Sequence, residues 1–198
     1  MGKHEHRFHH GHAHKLDDPE RRTWLPPDEV IARVELRPGM NVADIGAGTG
    51  YFALPMATAV SPGGHVAAVD VQPEMLAVLR ERVPEGAPIA LVEGEATRTT
   101  LADASQDVVF AANVWHEIDD RGAALTELAR IARPGGRLAI LDFRVDAERP
   151  PGPPPELRIA ASDVAAEVAA SGSFQAVTAE LIGRYSYLVL ATRVEQHA

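Results

Sequence analysis

The stretch Val42-Ala43-Asp44-Ile45-Gly46-Ala47-Gly48-Thr49-Gly50-Tyr51-Phe52 decides the fold. Four residues alternate into a short buried strand, an acid stands near its end, and three glycines at every second position precede an apolar run. That order is strand, tight turn, helix. A turn that passes beneath a ligand must visit positive φ and carry no Cβ toward it, so the glycines are read as a contact surface.

A Gly-x-Gly-x-Gly turn also opens ordinary nucleotide-binding units. Dinucleotide sites favour G-x-G-x-x-G, with a pyrophosphate on the helix N-terminus, and here the third glycine falls one residue early. Asp44, two residues before the first glycine, would repel a pyrophosphate and attract a cation such as an ammonium or sulfonium group. The stretch resembles motif I of the class I S-adenosylmethionine-dependent methyltransferases. The resemblance implies that Asp44, Gly46, Ala47, Gly48, Gly50 and Tyr51 line the cofactor, the acid and the loop backbone holding its methionine part.

At 198 residues and 45% hydrophobic content, the chain suits one soluble domain with a full core. A net charge of -9 disfavours nucleic acid, whose binding rests on clustered Lys and Arg, and favours a small substrate. The absence of cysteine excludes disulfides, thiolate nucleophiles, Cys-ligated zinc and arsenite capture by cysteines. No apolar run of the roughly 18 residues that span a bilayer occurs, and the N-terminus is rich in His rather than apolar, so no membrane role and a cytoplasmic location are expected. Six histidines between His4 and His14 could chelate a divalent metal, but they read as a passive polar tail or lid, and no metal site is assigned.

After a turn-rich lead-in, in which Trp24 either shields the reacting centre or packs the segment onto the core, Asp28 to Leu36 reads as a helix. Tyr51 to Val60 reads as the helix after the glycines, and His65 to Asp70 as a second strand. Asp70 at its carboxyl end is placed to bind both hydroxyls of a ribose; capping the next helix, from Glu74 to Val83, is the alternative. In the resembling family Val71 and Gln72 would flank the adenine, and Glu95-Ala96, after a third strand Ile89 to Val92, would replace the common Asp-Ala pair near the adenine amino group.

A fourth strand, Asp107 to Ala112, exits into Asn113-Val114-Trp115-His116-Glu117-Ile118. These side chains would face the transferred methyl. Asn113 could touch cofactor and orient substrate, Trp115 could wall the pocket, and His116 could take a proton; plain helix-entry packing is the alternative for His116. A helix from Asp119 to Ala132, a tight turn at Arg133-Pro134-Gly135-Gly136 and a fifth strand to Phe143 follow. The proline run Arg149 to Pro155 is expected along the rim of the site. Ser162 is expected to cap a helix from Asp163 to Ala170, before a hairpin of Phe174 to Ile182 and Tyr185 to Val194.

Five strand-helix alternations and a terminal hairpin imply an α/β, Rossmann-like methyltransferase fold. The expected sheet is seven-stranded and mostly parallel, in the order 3-2-1-4-5-7-6 with strand 7 antiparallel and helices on both faces. A His-rich tail and lead-in, residues 1–25, precede one methyltransferase domain, 26–198. The expected reaction is methyl transfer from S-adenosyl-L-methionine to sulfur or oxygen of a small acceptor, leaving S-adenosyl-L-homocysteine, with a homodimer left open. The alternatives are carbon methylation of a quinone-like ring, as in the ubiquinone and menaquinone methyltransferases the chain also resembles, an NAD-dependent oxidoreductase, and a metal-responsive binding protein.

Overall fold

A computed structural model describes residues 18–147 and 151–195; the histidine tail lies outside the described residues. The strands are β1 (Asn41–Ile45), β2 (His65–Asp70), β3 (Ile89–Glu93), β4 (Gln106–Ala112), β5 (Ala132–Phe143), β6 (Phe174–Ile182) and β7 (Ser186–Arg193). The helices are α1 (Arg21–Trp24), α2 (Pro27–Val34), α3 (Ala53–Val60), α4 (Pro73–Arg82), α5 (Arg121–Ile131) and α6 (Ala161–Ala170).

All seven strands join one sheet in the order β3-β2-β1-β4-β5-β7-β6. The pairs from β3 to β5 are parallel, and β7 runs antiparallel to both neighbours. Strand alternation divides the apolar side chains between two layers. Ala43, Val109, Ala111, Leu138, Ile140 and Tyr187 face α5 and α6, whereas Val42, Val108, Phe110, Ala139 and Leu141 face α2 and α3. Both faces are covered, so the central strands need the near-continuous apolar runs that the sequence supplies. No helix among the described residues is long and apolar enough to cross a membrane.

Local chemistry fixes several boundaries. Pro27 and Pro73 stand in the first turns of α2 and α4, where a missing N–H costs nothing. Asp120 caps α5 by accepting the Ala123 N–H at 2.9 Å. The expected Ser162 cap is corrected: Ala160 is the N-cap of α6, and the Ser162 hydroxyl turns to Asp163 Oδ1 at 3.4 Å. The Arg133–Gly136 turn is absorbed into β5 as an irregularity, since Ala132 pairs with Gln106 and Arg137 with Val108. Asp107 anchors it through an ion pair with Arg133, while accepting the Asn41 N–H at 2.7 Å.

Gly50 has a packing reason for its lack of a side chain. Its φ is +91°, and an added Cβ would lie 2.3 Å from Leu79 Cδ1, on a fully buried side chain of α4. Gly50→Ala should therefore destabilise the fold by about 1–3 kcal/mol. Urea denaturation of the two proteins measures this, and an unchanged midpoint would refute the packing role.

Candidate active site

The carboxyl ends of β1, β2 and β4 open into a cavity of about 880 Å³, within the ~300–1,000 Å³ range of small-molecule sites. This is where ligands bind in open parallel sheets, because the strand ends and the loops beyond them present unpaired backbone groups. The glycine loop contributes Gly46, Ala47, Gly48 and Tyr51 to the lining, and the end of β2 contributes Asp70, Val71 and Gln72. Glu95 and Ala96 follow β3, Asn113 and His116 follow β4, and Trp24 comes from the lead-in.

Two residues expected at the site stand elsewhere. Gly50 does not line this cavity, because its close contact is with Leu79 of α4. Trp115 is no pocket wall. The 3₁₀ turn Trp115–Glu117 sends its side chain, fully buried, into the layer beneath α5 and α6, where its indole N–H approaches Glu167 Oε2 at 3.4 Å. The one-residue step along that turn sends His116 to the cavity instead.

The loop is fastened to β2. Gly46 and Ala47 N–H both donate to Val69 O, at 2.8 and 2.9 Å, and Gly48 N–H donates to Asp70 Oδ2 at 2.8 Å. Asp70 Oδ1 accepts the Gln72 N–H at 2.9 Å, so this acid shapes the turn into α4 rather than serving as its N-cap, which is Gln72.

Asp44, 2% exposed, accepts the Ala53 N–H at the start of α3. Burial, reinforced by the charge of Asp70, pushes its pKa up to about 7, against the pull of that N–H and of Arg21. Its Oδ2 and the Asn113 Oδ1 are buried acceptors with no donor among the described residues. Asn113 also holds φ at +56°, a conformation maintained by its N–H bond of 2.8 Å to Leu141 O. Unfilled buried acceptors cost free energy unless a ligand or water completes them, and two at one cavity suit a cationic donor.

His116 is held by an acid that its sequence context did not single out. Its Nδ1 lies 2.8 and 3.0 Å from the two Asp142 oxygens, and its backbone N–H donates to Asp142 Oδ2 at 3.0 Å. Nδ1 therefore carries the proton, leaving Nε2 as an acceptor. Burial works against a charged ring, but the hydrogen bond and charge of Asp142, with Glu117 adding to them, outweigh it. The ring's pKa stands above its ordinary 6.5, although Arg158 pulls the other way. The sequence signal was available: Asp142 is an acid inside an otherwise apolar strand end, Leu138 to Phe143. Phe143 and the strap Pro151–Pro154 also line the cavity, as does Arg21.

Comparison with known proteins agrees with this geometry. Residues 43–140 match the methyltransferase domain family. A crystal structure of an S-adenosylmethionine-dependent methyltransferase from Aquifex aeolicus superposes with a TM-score of 0.89 at 32% identity, covering 95% of this chain and 100% of that one. The chain belongs to the class I S-adenosylmethionine-dependent methyltransferases. A ubiquinone/menaquinone biosynthesis C-methyltransferase of Burkholderia vietnamiensis is 37% identical over 122 residues, 58% of this chain and 47% of that protein. An uncharacterised methyltransferase of Mycobacterium tuberculosis is 42% identical over 123 residues, 62% of this chain and 44% of that protein. The match thus spans about half the length of these curated relatives.

As a methyltransferase of this class the chain takes S-adenosylmethionine as cofactor, and the residues present fit it. Asp44 Oδ2 and Asn113 Oδ1 are unfilled acceptors on residues that line the cavity, and they suit a ligand bearing both an ammonium and a sulfonium. Membership of this family sets aside the NAD-dependent alternative. Among the described residues no group of three or more His, Cys, Asp or Glu is placed to hold a metal ion.

The His116–Asp142 pair can be tested without any ligand. Asp142→Asn removes the partner that favours imidazolium and leaves burial to disfavour it. An NMR titration of the His116 ring should give a midpoint above 6.5 in the wild type and a lower one in the variant. Equal midpoints would mean that the pair does not set the ring's proton affinity.

Proposed function

We propose that this methyltransferase acts on a small nucleophile through sulfur or oxygen, with His116 as the base that removes its proton. The observation that carries this reading is the His116–Asp142 pair, in which a carboxylate holds Nδ1 of a cavity-lining imidazole and leaves Nε2 as its acceptor nitrogen. When bound, S-adenosylmethionine supplies a methyl group on a sulfonium, which passes in line to the nucleophile and leaves S-adenosylhomocysteine. Asp44 and Asn113 would offer acceptors to its amino-acid end and Asp70 to the ribose hydroxyls, while Val71, Gln72, Glu95 and Ala96 would hold the adenine.

The chain's other work is positioning. Much of the barrier to in-line displacement falls when the partners are held close and aligned. His116 Nε2 takes the nucleophile's proton, and Asp142 holds the ring in the productive tautomer and stabilises the resulting imidazolium. Glu117 Oε1, 3.7 Å from Nε2, adds to that stabilisation. Trp24, Phe143 and the strap Pro151–Pro154 enclose this end and limit water. Carbon methylation of a quinol-like ring is the second reading. It is favoured by the likeness to the Burkholderia C-methyltransferase, and the same base could deprotonate a ring hydroxyl.

A panel of thiols, phenols and quinols, assayed with methyl-labelled cofactor, separates the two readings by the atom that receives the label. With the accepted substrate, kcat should rise with pH as His116 loses its proton, and His116→Ala should lower it by about 10²–10⁴-fold and remove that rise. A rate independent of pH and of His116 would overturn the base. Asp44, half-protonated near neutrality, should release a proton when it meets the cationic cofactor. Affinity should therefore fall as pH drops below about 7, which calorimetry in buffers of different ionisation enthalpy reads; binding without proton release at pH 6 would show that Asp44 does not face the cation.

A further inference from the structure

The cavity has a lopsided charge inventory. Its lining carries eight carboxylate side chains, from Asp18 to Asp120 in sequence, and among the described residues only one arginine or lysine, Arg21. Arg21 is also 7% exposed, an unusual burial for a guanidinium. It belongs to α1, a helix of four residues followed by two prolines, which could have left the side chain in solvent.

Instead α1 is docked over the cofactor loop. The Arg21 guanidinium carbon lies 3.9 Å from the centre of the Tyr51 ring, and the Tyr51 hydroxyl donates to Leu25 O at 2.5 Å, closing the segment onto the residue that follows Gly50. Its charge also reaches Asp44, whose proton affinity it lowers. The cation thus stands beside the buried acid at the end of β1, on the glycine-loop side of the cavity, whereas His116, Phe143 and the strap belong to the β4 and β5 side.

An acceptor for an ammonium and a fixed guanidinium beside one another match an α-amino acid zwitterion. We propose that Arg21 binds the α-carboxylate of the cofactor's methionine end, making α1 a part of the cofactor site. A planar guanidinium meets a carboxylate with two parallel N–H bonds, and stacking on Tyr51 fixes its plane in advance. An acceptor anion is the competing ligand for Arg21; its neighbours Asp44 and Tyr51 favour the cofactor. The inference rests on the cofactor assignment above.

The test is calorimetric titration of the full chain with S-adenosylhomocysteine and with its decarboxylated analogue. In the wild type, loss of the ligand carboxylate should weaken binding by about tenfold or more. Arg21→Gln should weaken S-adenosylhomocysteine by the same factor while leaving the decarboxylated analogue unchanged, and Arg21→Lys should fall between. Equal weakening of both ligands in Arg21→Gln would make Arg21 a packing residue of α1, and no weakening of either would remove it from the site; both results overturn the inference. A wild type that binds neither ligand would overturn the cofactor assignment itself. Tryptic cleavage after Arg21 gives a second readout that needs no variant: S-adenosylhomocysteine should slow it, and the decarboxylated analogue at equal saturation should not. Equal protection by the two would contradict a carboxylate contact.

Discussion

The Asp70 carboxylate, buried at the end of β2, ties the glycine loop to its neighbouring strand by accepting the Gly48 N–H. The three glycines of the loop all hold positive φ, a conformation that glycine samples without preferring it, so hydrogen bonds are needed to fix it. Its shape therefore comes from the bonds to Val69 O and Asp70. Everything else at the site is arranged around that fixed loop: Asp44 beneath it at the end of β1, Asn113 across from it at the end of β4, and α1 above it. The same acid accepts the Gly48 and Gln72 N–H groups, which accounts for an acid, and not an apolar residue, closing a buried strand.

Two acids at neighbouring strand ends repel one another, and the burial of Asp44 raises the cost. The structure offsets that cost with the Ala53 N–H and the charge of Arg21, yet Asp44 remains near its midpoint at neutral pH. Asp44 Oδ2 and Asn113 Oδ1 are buried without a donor among the described residues, which costs stability. A cationic ligand resolves both, and this electrostatic debt is the physical reason the cavity suits a sulfonium cofactor better than a dinucleotide.

Much of this was legible in the chain. Strand alternation, the turn glycines and the prolines at helix starts are local signals, and they placed β2, β4, α4 and the terminal hairpin to within a residue or two. The sheet order followed from the right-handed crossovers and the resemblance to one family. What escaped was set by direction rather than position. Whether Trp115 or His116 faces the cavity depends on the phase of a three-residue 3₁₀ turn, which has no periodicity to read. The Asp142 partnership joins residues 26 apart through the β4–β5 pairing, and Arg21 is buried only because a short helix folds back over Tyr51. Gly50 looked like its two companions in the motif, yet it packs against Leu79 and, unlike them, does not line the cavity.

The central claim is that this cavity holds S-adenosylmethionine with its ribose at Asp70 and its sulfur between Asn113 and His116. A crystal structure of the protein with S-adenosylhomocysteine tests it most directly. The account predicts ribose hydroxyls within hydrogen-bond distance of the Asp70 carboxylate and the sulfur facing the His116 side of the cavity. A ribose bound away from Asp70, or an adenine lying against His116, would contradict it.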